Sequence, residues 1–394
     1  MYVSRAPAIL LILMLSIFGP LSTDMYLSGL PQMVVDFGTT EAVMNMSLYM
    51  FMLVLSFSIL ALGPVSDKYG RRDVLIATMA IYVGANIACY FIEDVTLFIL
   101  FRMVMAFGGG GAMVSAYALI KDMFTGQGLS RMLSIVAVVG ILGPILSPVI
   151  GTVLINSFGW RSTFAAPAAV AFTCLVLGLG IPASLPMERL SGSVVKSMMR
   201  VAAILRDKGF TLFMIMSTVF VSGQLAYIAV SSYIYQEKFG LSTTEYSIVL
   251  GVGCILGLIL AYATRRLYLT NLQRVAMILV MGVASLIMMA LIADFGWFAF
   301  MLAIVPCCCN NIVSRSFGFA ILMGHHKGDN GSVSAAINFT AYMFAFAGMV
   351  IASTAPPDLF IMSIAVVLLI SCVIFGAMWA ILKRMGYPVH NLAD

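Results

Sequence analysis

The ten residues GPVSDKYGRR, positions 63–72, decide how this chain is read. Four of them are charged, while the runs on either side, 42–65 and 73–92, hold no charge except Asp73. Each run is long enough to cross a bilayer as a helix. The decapeptide therefore reads as a short charged turn joining two membrane spans. Gly63 and Gly70 allow close packing and a sharp turn. Asp67 stands between basic residues and can pair with Arg71 or with a neighbouring loop.

The rest of the chain has the same character. Of 394 residues, 62% are hydrophobic and 9% are charged, against about 25% charged in a soluble domain. So much apolar side chain needs lipid as its solvent. Twelve apolar runs are predicted as spans: 8–35, 42–65, 73–92, 96–121, 130–156, 163–184, 210–236, 243–264, 272–293, 296–322, 332–354 and 359–384. The first is too long for a cleaved signal peptide, and a second span follows it closely. The predicted fold class is an all-α membrane protein with twelve transmembrane helices. The loop LPMERLSGSVVKSMMRVAAILRDKG divides the spans six and six. This suggests two six-helix bundles, 1–185 and 210–394, joined by a cytoplasmic linker, 186–209, able to form a short surface helix.

Charge placement gives an orientation. Of the 21 Lys and Arg, all but Arg102, Arg161, Lys238 and Arg315 fall in the termini or in loops after even-numbered spans. By the positive-inside rule that side, with both termini, is cytoplasmic. The net charge of +5 is then a topology signal, and no nucleic-acid partner is expected. The seven cysteines all lie in apolar runs without metal spacing, and read as small buried hydrophobes. No metal is expected. The Gly108–Gly111 run lies in a span with no following Lys-Ser/Thr, and reads as tight helix packing rather than a phosphate cradle.

Among sixteen acids only Asp24 is deep in a span. An intramembrane acid is a functional candidate whose partner must be found. Arg102 and Arg315 are the two cations inside spans. Asp24 lies roughly 24 Å along span one at 1.5 Å per residue, and Arg102 lies one to two turns from the outer end of span four, so depth favours Arg102. The pair can be a static salt bridge or a titrating carboxylate beside a water-filled cavity. Burial favours the neutral acid and a nearby guanidinium the charged one, so a conformational change that altered either would bind and release protons.

GPVSDKYGRR resembles the G-x-x-x-D-x-x-G-R-R signature of the major facilitator superfamily. Further strings resemble its drug/proton antiporters of the Bcr/CflA type. TDMYLSGLP from Thr23 is similar to T-D-M-Y-L-P-x-L-P, with Ser28 in place of proline. PILSPVIG, Pro144 to Gly151, is similar to the antiporter string P-x-x-A/S-P-x-x-G. GWRSTF from Gly159 and ALIKDMF from Ala118 complete the set, within roughly the first 165 residues. Span four departs from the family's R-x-x-Q-G: it keeps Arg102 but has Met105 and Ala106. Asp73 stands where proline is common.

The resemblance implies the major facilitator fold and positional roles. Asp24 would couple protons and sense substrate, with Arg102 tuning it. Gly63, Asp67, Gly70, Arg71, Arg72 and Asp122 would form a cytoplasmic gate cluster latching an outward-facing state. Gly143, Pro144, Pro148 and Gly151 would let span five bend and pack closely. Polar or aromatic groups within spans that could line a substrate cavity are Tyr26, Asn45, Tyr49, Tyr117, Gln224, Tyr227, Tyr233, Asn338 and Tyr342. Each of these can equally be a helix–helix hydrogen bond. CCCNN at 307–311 and Arg315 are unusual and find no role at this level.

The expected function is proton-driven export of amphipathic, drug-like small molecules across a bacterial inner membrane. It needs no cofactor beyond the proton gradient, and nothing calls for more than a monomer. The alternative keeps the fold for one metabolite: a siderophore, sugar or amino acid. An enzyme is disfavoured, because no nucleophile–base pair, metal-ligand cluster or phosphate motif is present.

Overall fold

A computed structural model describes residues 5–182, 193–267, 269–325 and 330–386. Part of the expected linker, 186–192, and the last residues of both termini lie outside these. The described chain is all-helical, and it divides into two compact units, Met1–Met199 and Arg200–Asp394.

In the first unit, α1 (Arg5–Ser16), α2 (Phe18–Thr23) and α3 (Leu30–Asp36) together occupy the predicted first span. Then come α4 (Glu41–Tyr69), α5 (Arg71–Phe91), α6 (Val95–Met123), α7 (Gly126–Phe158) and α8 (Ser162–Leu179). A short helix, α9 (Val194–Ile204), falls within the expected linker, and the boundary between the two units runs through it. The second unit holds α10 (Lys208–Thr218) and α11 (Val221–Tyr233), which with a π-helical turn to Lys238 make one span. It continues with α12 (Thr243–Arg265), α13 (Asn271–Leu291), α14 (Trp297–His325), α15 (Asn330–Ser353) and α16 (Phe360–Arg384). Among the described residues, eleven helices are long and apolar enough to span a membrane, or twelve with the bent first pair.

Span ends follow local signals. Thr40, Asp94 and Asp207 accept a backbone N–H at the starts of α4, α6 and α10. Ser242 with Glu245, and Thr270 with Gln273, form capping boxes on α12 and α13. The sixth span ends at Leu179, earlier than the predicted 184.

Span one departs from a continuous helix. Pro20 has no N–H for the Ser16 carbonyl, and the chain turns at Ile17 with a 43° bend. A second break follows: Asp24–Tyr26 form a turn and Leu27–Gly29 a 3-10 turn, before Pro31 opens α3. Main-chain groups freed inside an apolar environment must find partners elsewhere.

The glycines of α6 supply close packing. A Cβ at Gly108 would lie 2.7 Å from the Thr78 carbonyl oxygen, at Gly110 2.3 Å from Ser58 Oγ, and at Gly111 2.4 Å from Thr78. α6 is therefore pressed against α4 and α5 at a distance only glycine permits. In the second unit, Cys307, Cys308 and Cys309 are buried in α14, with Cys308 against Gly257. They act there as small packing groups.

Candidate functional site

Asp24 sits at the C-terminal end of α2, where span one breaks, and is 8% exposed. The Thr23 hydroxyl lies 2.7 Å from its Oδ1 and 3.0 Å from the Gly19 carbonyl oxygen, and can donate to either. Arg102, expected as its ion-pair partner, does not pair with it. Ion pairs among the described residues include Arg71–Asp67, Arg71–Asp122 and Lys238–Asp294.

Arg102 is instead fully buried and turned to the backbone of the break. Its Nη1 donates to the Ser22 carbonyl oxygen at 2.8 Å and its Nη2 to Tyr26 Oη at 3.0 Å. The guanidinium lies 4.4 Å from the Tyr26 ring centre and 4.5 Å from that of Phe51. Desolvated cation–π contacts of this kind contribute up to about 2 kcal/mol each. Met105 lies beside it, Sδ 3.7 Å from Nη1, so the departure from the family string puts a soft apolar contact at the guanidinium. Tyr26 Oη meets Ser47 Oγ at 3.2 Å, and Ser22 Oγ meets Tyr82 Oη at 2.6 Å. Ser22, Ser47, Phe51 and Tyr82 were not singled out in the sequence. Serines and aromatics in apolar spans carry no distinctive pattern, and only the break in span one brings them together.

α7 presses on the same break. A Cβ at Gly143 would lie 2.6 Å from Pro20 Cγ, and one at Gly151 1.8 Å from the Met25 carbonyl oxygen. Thr152 Oγ1 donates to Ser28 Oγ at 3.1 Å. Pro144 and Pro148 are accommodated within α7, which runs unbroken. The GWRSTF string follows directly. Trp160 is buried and its Nε1 donates to Asp36 Oδ2 at 2.6 Å, tying the end of α3 to the corner between α7 and α8. Gly159, with φ +80°, makes that corner.

The charged signature is mostly helix rather than loop. α4 runs through Tyr69, so Gly70 alone, at φ +113°, separates it from α5. Arg71 is 8% exposed. Its Nε donates to Asp122 Oδ2 at 2.8 Å, and its Nη1 pairs with Asp67 and donates to Ser66 Oγ at 3.3 Å. One guanidinium thus ties the ends of α4 and α6 to the start of α5. Arg72 is half-buried with its Nε unpaired. The close packing expected at Gly63 is absent: a Cβ there would meet nothing within 4 Å.

The expected cavity residues separate into groups. Tyr26 and Asn45 are buried in the packing of the first unit, Tyr49 is 9% exposed and Tyr117 is 52% exposed. Tyr227 and Tyr233 are buried among aromatic rings of the second unit; Tyr227 Oη donates to Tyr235 Oη at 3.1 Å, and the Tyr233 ring packs on Phe360. Gln224, Asn338 and Tyr342 are half-buried. Gln224 accepts a hydrogen bond from Asn311, and Asn338 accepts one from Arg315 at 3.3 Å. No cluster of three or more His, Cys, Asp or Glu able to hold a metal occurs among the described residues.

A broken first span carrying a buried acid, the Arg71 cluster and, among the described residues, twelve spans when the bent first pair is counted as one define a membrane carrier architecture. Residues 12–349 match the Major Facilitator Superfamily, and the chain belongs to that family of membrane transporters. It is 28% identical over 243 residues to an uncharacterized MFS-type transporter, YdgK, of Bacillus subtilis (strain 168); the match covers 61% of this chain and 60% of that one. It is 25% identical over 245 residues to the multidrug resistance protein MdtL of Salmonella paratyphi C (strain RKS4594), covering 62% of each. The matched stretch thus spans less than two thirds of these relatives. The crystal structure of a peptide transporter, POT, superimposes with a TM-score of 0.77 at 11% identity, covering 96% of this chain and 95% of that one, a likeness of fold.

Proposed function

We propose that this transporter is a proton-coupled exporter of amphipathic, drug-like small molecules, neutral or cationic, working by alternating access. It would lie in a bacterial inner membrane with both termini cytoplasmic and act as a monomer, with the proton gradient as its only energy source.

The observation that carries the reading is Asp24: a buried carboxylate at the break of span one, with no cation paired to it. A buried charge of this kind is costly unless neutralised. A proton or a cationic ligand can each neutralise it, so the two exclude one another. Arg102 is occupied by Ser22 and Tyr26, which leaves the carboxylate available to exchange its partner. Facing outward, Asp24 would take a proton and release substrate; facing inward, it would give the proton up. The likeness to MdtL supports drug-like cargo over a single metabolite.

The test is ethidium transport in proteoliposomes under an imposed pH gradient. Wild type should accumulate ethidium on the acidic side, and Asp24→Asn should not. Gradient-driven accumulation by Asp24→Asn would overturn the reading.

A further inference from the structure

Arg315 is an intramembrane cation that the reading above leaves without a task. It lies ten residues from the His325 end of α14, about 15 Å at 1.5 Å per residue. On the proposed orientation that is deeper than lipid headgroups reach. The acids of the second unit among the described residues, Asp207, Glu237, Glu245, Asp294 and Asp358, all stand near span ends, and none pairs with Arg315. Its hydrogen-bond partner is a neutral oxygen, Asn338 Oδ1, at 3.3 Å. Asn338 is itself anchored by donating to the Ser334 carbonyl oxygen at 2.9 Å. One helical turn along α14, Asn311 is on the same face, hydrogen-bonded to Gln224 of α11, with its own Oδ1 buried and unpartnered.

These four side chains form a polar column on α11, α14 and α15. All four are half-buried rather than sealed in the core. A guanidinium is a fixed charge with five donors in a planar fork. Here one donor is used, on a weak acceptor. An uncompensated cation at this depth needs an anion, and the fork matches a carboxylate bidentately.

We propose that Arg315, flanked by Asn338 and by the Asn311–Gln224 pair, binds the carboxylate of an amphipathic substrate. This rests on the export reading and narrows its cargo: among substrates of no net charge, zwitterions that carry a carboxylate would be preferred over forms in which that carboxylate is esterified.

The test measures equilibrium binding of norfloxacin, its methyl ester and ethidium to the purified full-length protein. The proteins are wild type, Arg315→Gln and Arg315→Lys, at one pH. The acid should bind wild type at least ~10-fold more tightly than the ester, a difference of about 1.4 kcal/mol. Arg315→Gln should abolish that preference and leave ethidium affinity within about twofold. Arg315→Lys should keep part of the preference, since the charge remains without the fork. Equal affinity of wild type for acid and ester would overturn the proposal while ethidium binding left the export reading standing. An equal loss of all three ligands in Arg315→Gln would make the residue structural and also overturn it. Failure of wild type to bind any of the three would remove both readings together.

Discussion

Gly151 of α7 lies directly against the Met25 carbonyl, one residue from Asp24: a Cβ there would come within 1.8 Å of that oxygen. The span-five glycine and the span-one acid thus belong to one piece of packing. A methyl at 151 must push α7 away from the break. We expect Gly151→Ala to lower stability by about 1–3 kcal/mol and to reduce ethidium transport, measured by thermal unfolding and efflux. Gly63→Ala is the control. Nothing lies within 4 Å of that position, and its thermal midpoint should hold or rise.

Arg102 is held by geometry that lysine cannot reproduce. A single ammonium cannot keep the Ser22 and Tyr26 hydrogen bonds while stacking on Tyr26 and Phe51. Arg102→Lys should cost about 1.5–3 kcal/mol in stability and lower ethidium efflux. Transport and stability unchanged in Arg102→Lys would mean the break at Asp24 does not depend on it.

Arg71 joins three helix ends through Asp67, Ser66 and Asp122. Asp122→Asn removes one charge-assisted bond and leaves the shape intact. We expect the maximal efflux rate of ethidium to fall by about tenfold, a change of about 1.4 kcal/mol in the limiting barrier, with its dissociation constant within about twofold. A changed dissociation constant with an unchanged rate would place the cluster in binding rather than in the conformational step.

With Asp24 as the one deep acid among the described residues, the proposed coupling is expected to move one proton per cycle. Export of a neutral substrate then moves net charge, and export of a monovalent cation moves none. Varying membrane potential at fixed pH in proteoliposomes should change neutral-substrate flux and leave ethidium flux unaltered. Potential-independent neutral flux would contradict the stoichiometry.

Span positions were readable in the sequence because an apolar run of bilayer length has few other uses, and the structure places the helices close to the predicted runs. The interruption of span one was less readable. Pro20, Gly29 and Pro31 signal it, but an apolar run of full length hid it, and hydropathy averages over such breaks. The Asp24–Arg102 pairing was inferred from depth along two helices. Depth says nothing of rotation about each axis, and the freed Ser22 carbonyl competes for the guanidinium. The close packing of Gly108–Gly111 was read correctly because four glycines in a span have no other stabilising use. The Arg315 column was not legible, since Gln224, Asn311 and Asn338 come from three helices whose facing sides are fixed only by the packed bundle.

The most direct measurement is proton release. Purified protein in weakly buffered detergent, with a pH indicator, receives ethidium or a tetraphenylphosphonium salt. Wild type should release protons as ligand binds, and Asp24→Asn should bind more weakly and release none. Ligand binding with no proton release from wild type would contradict a shared proton and substrate site at Asp24, and would leave that carboxylate a structural element of the broken helix.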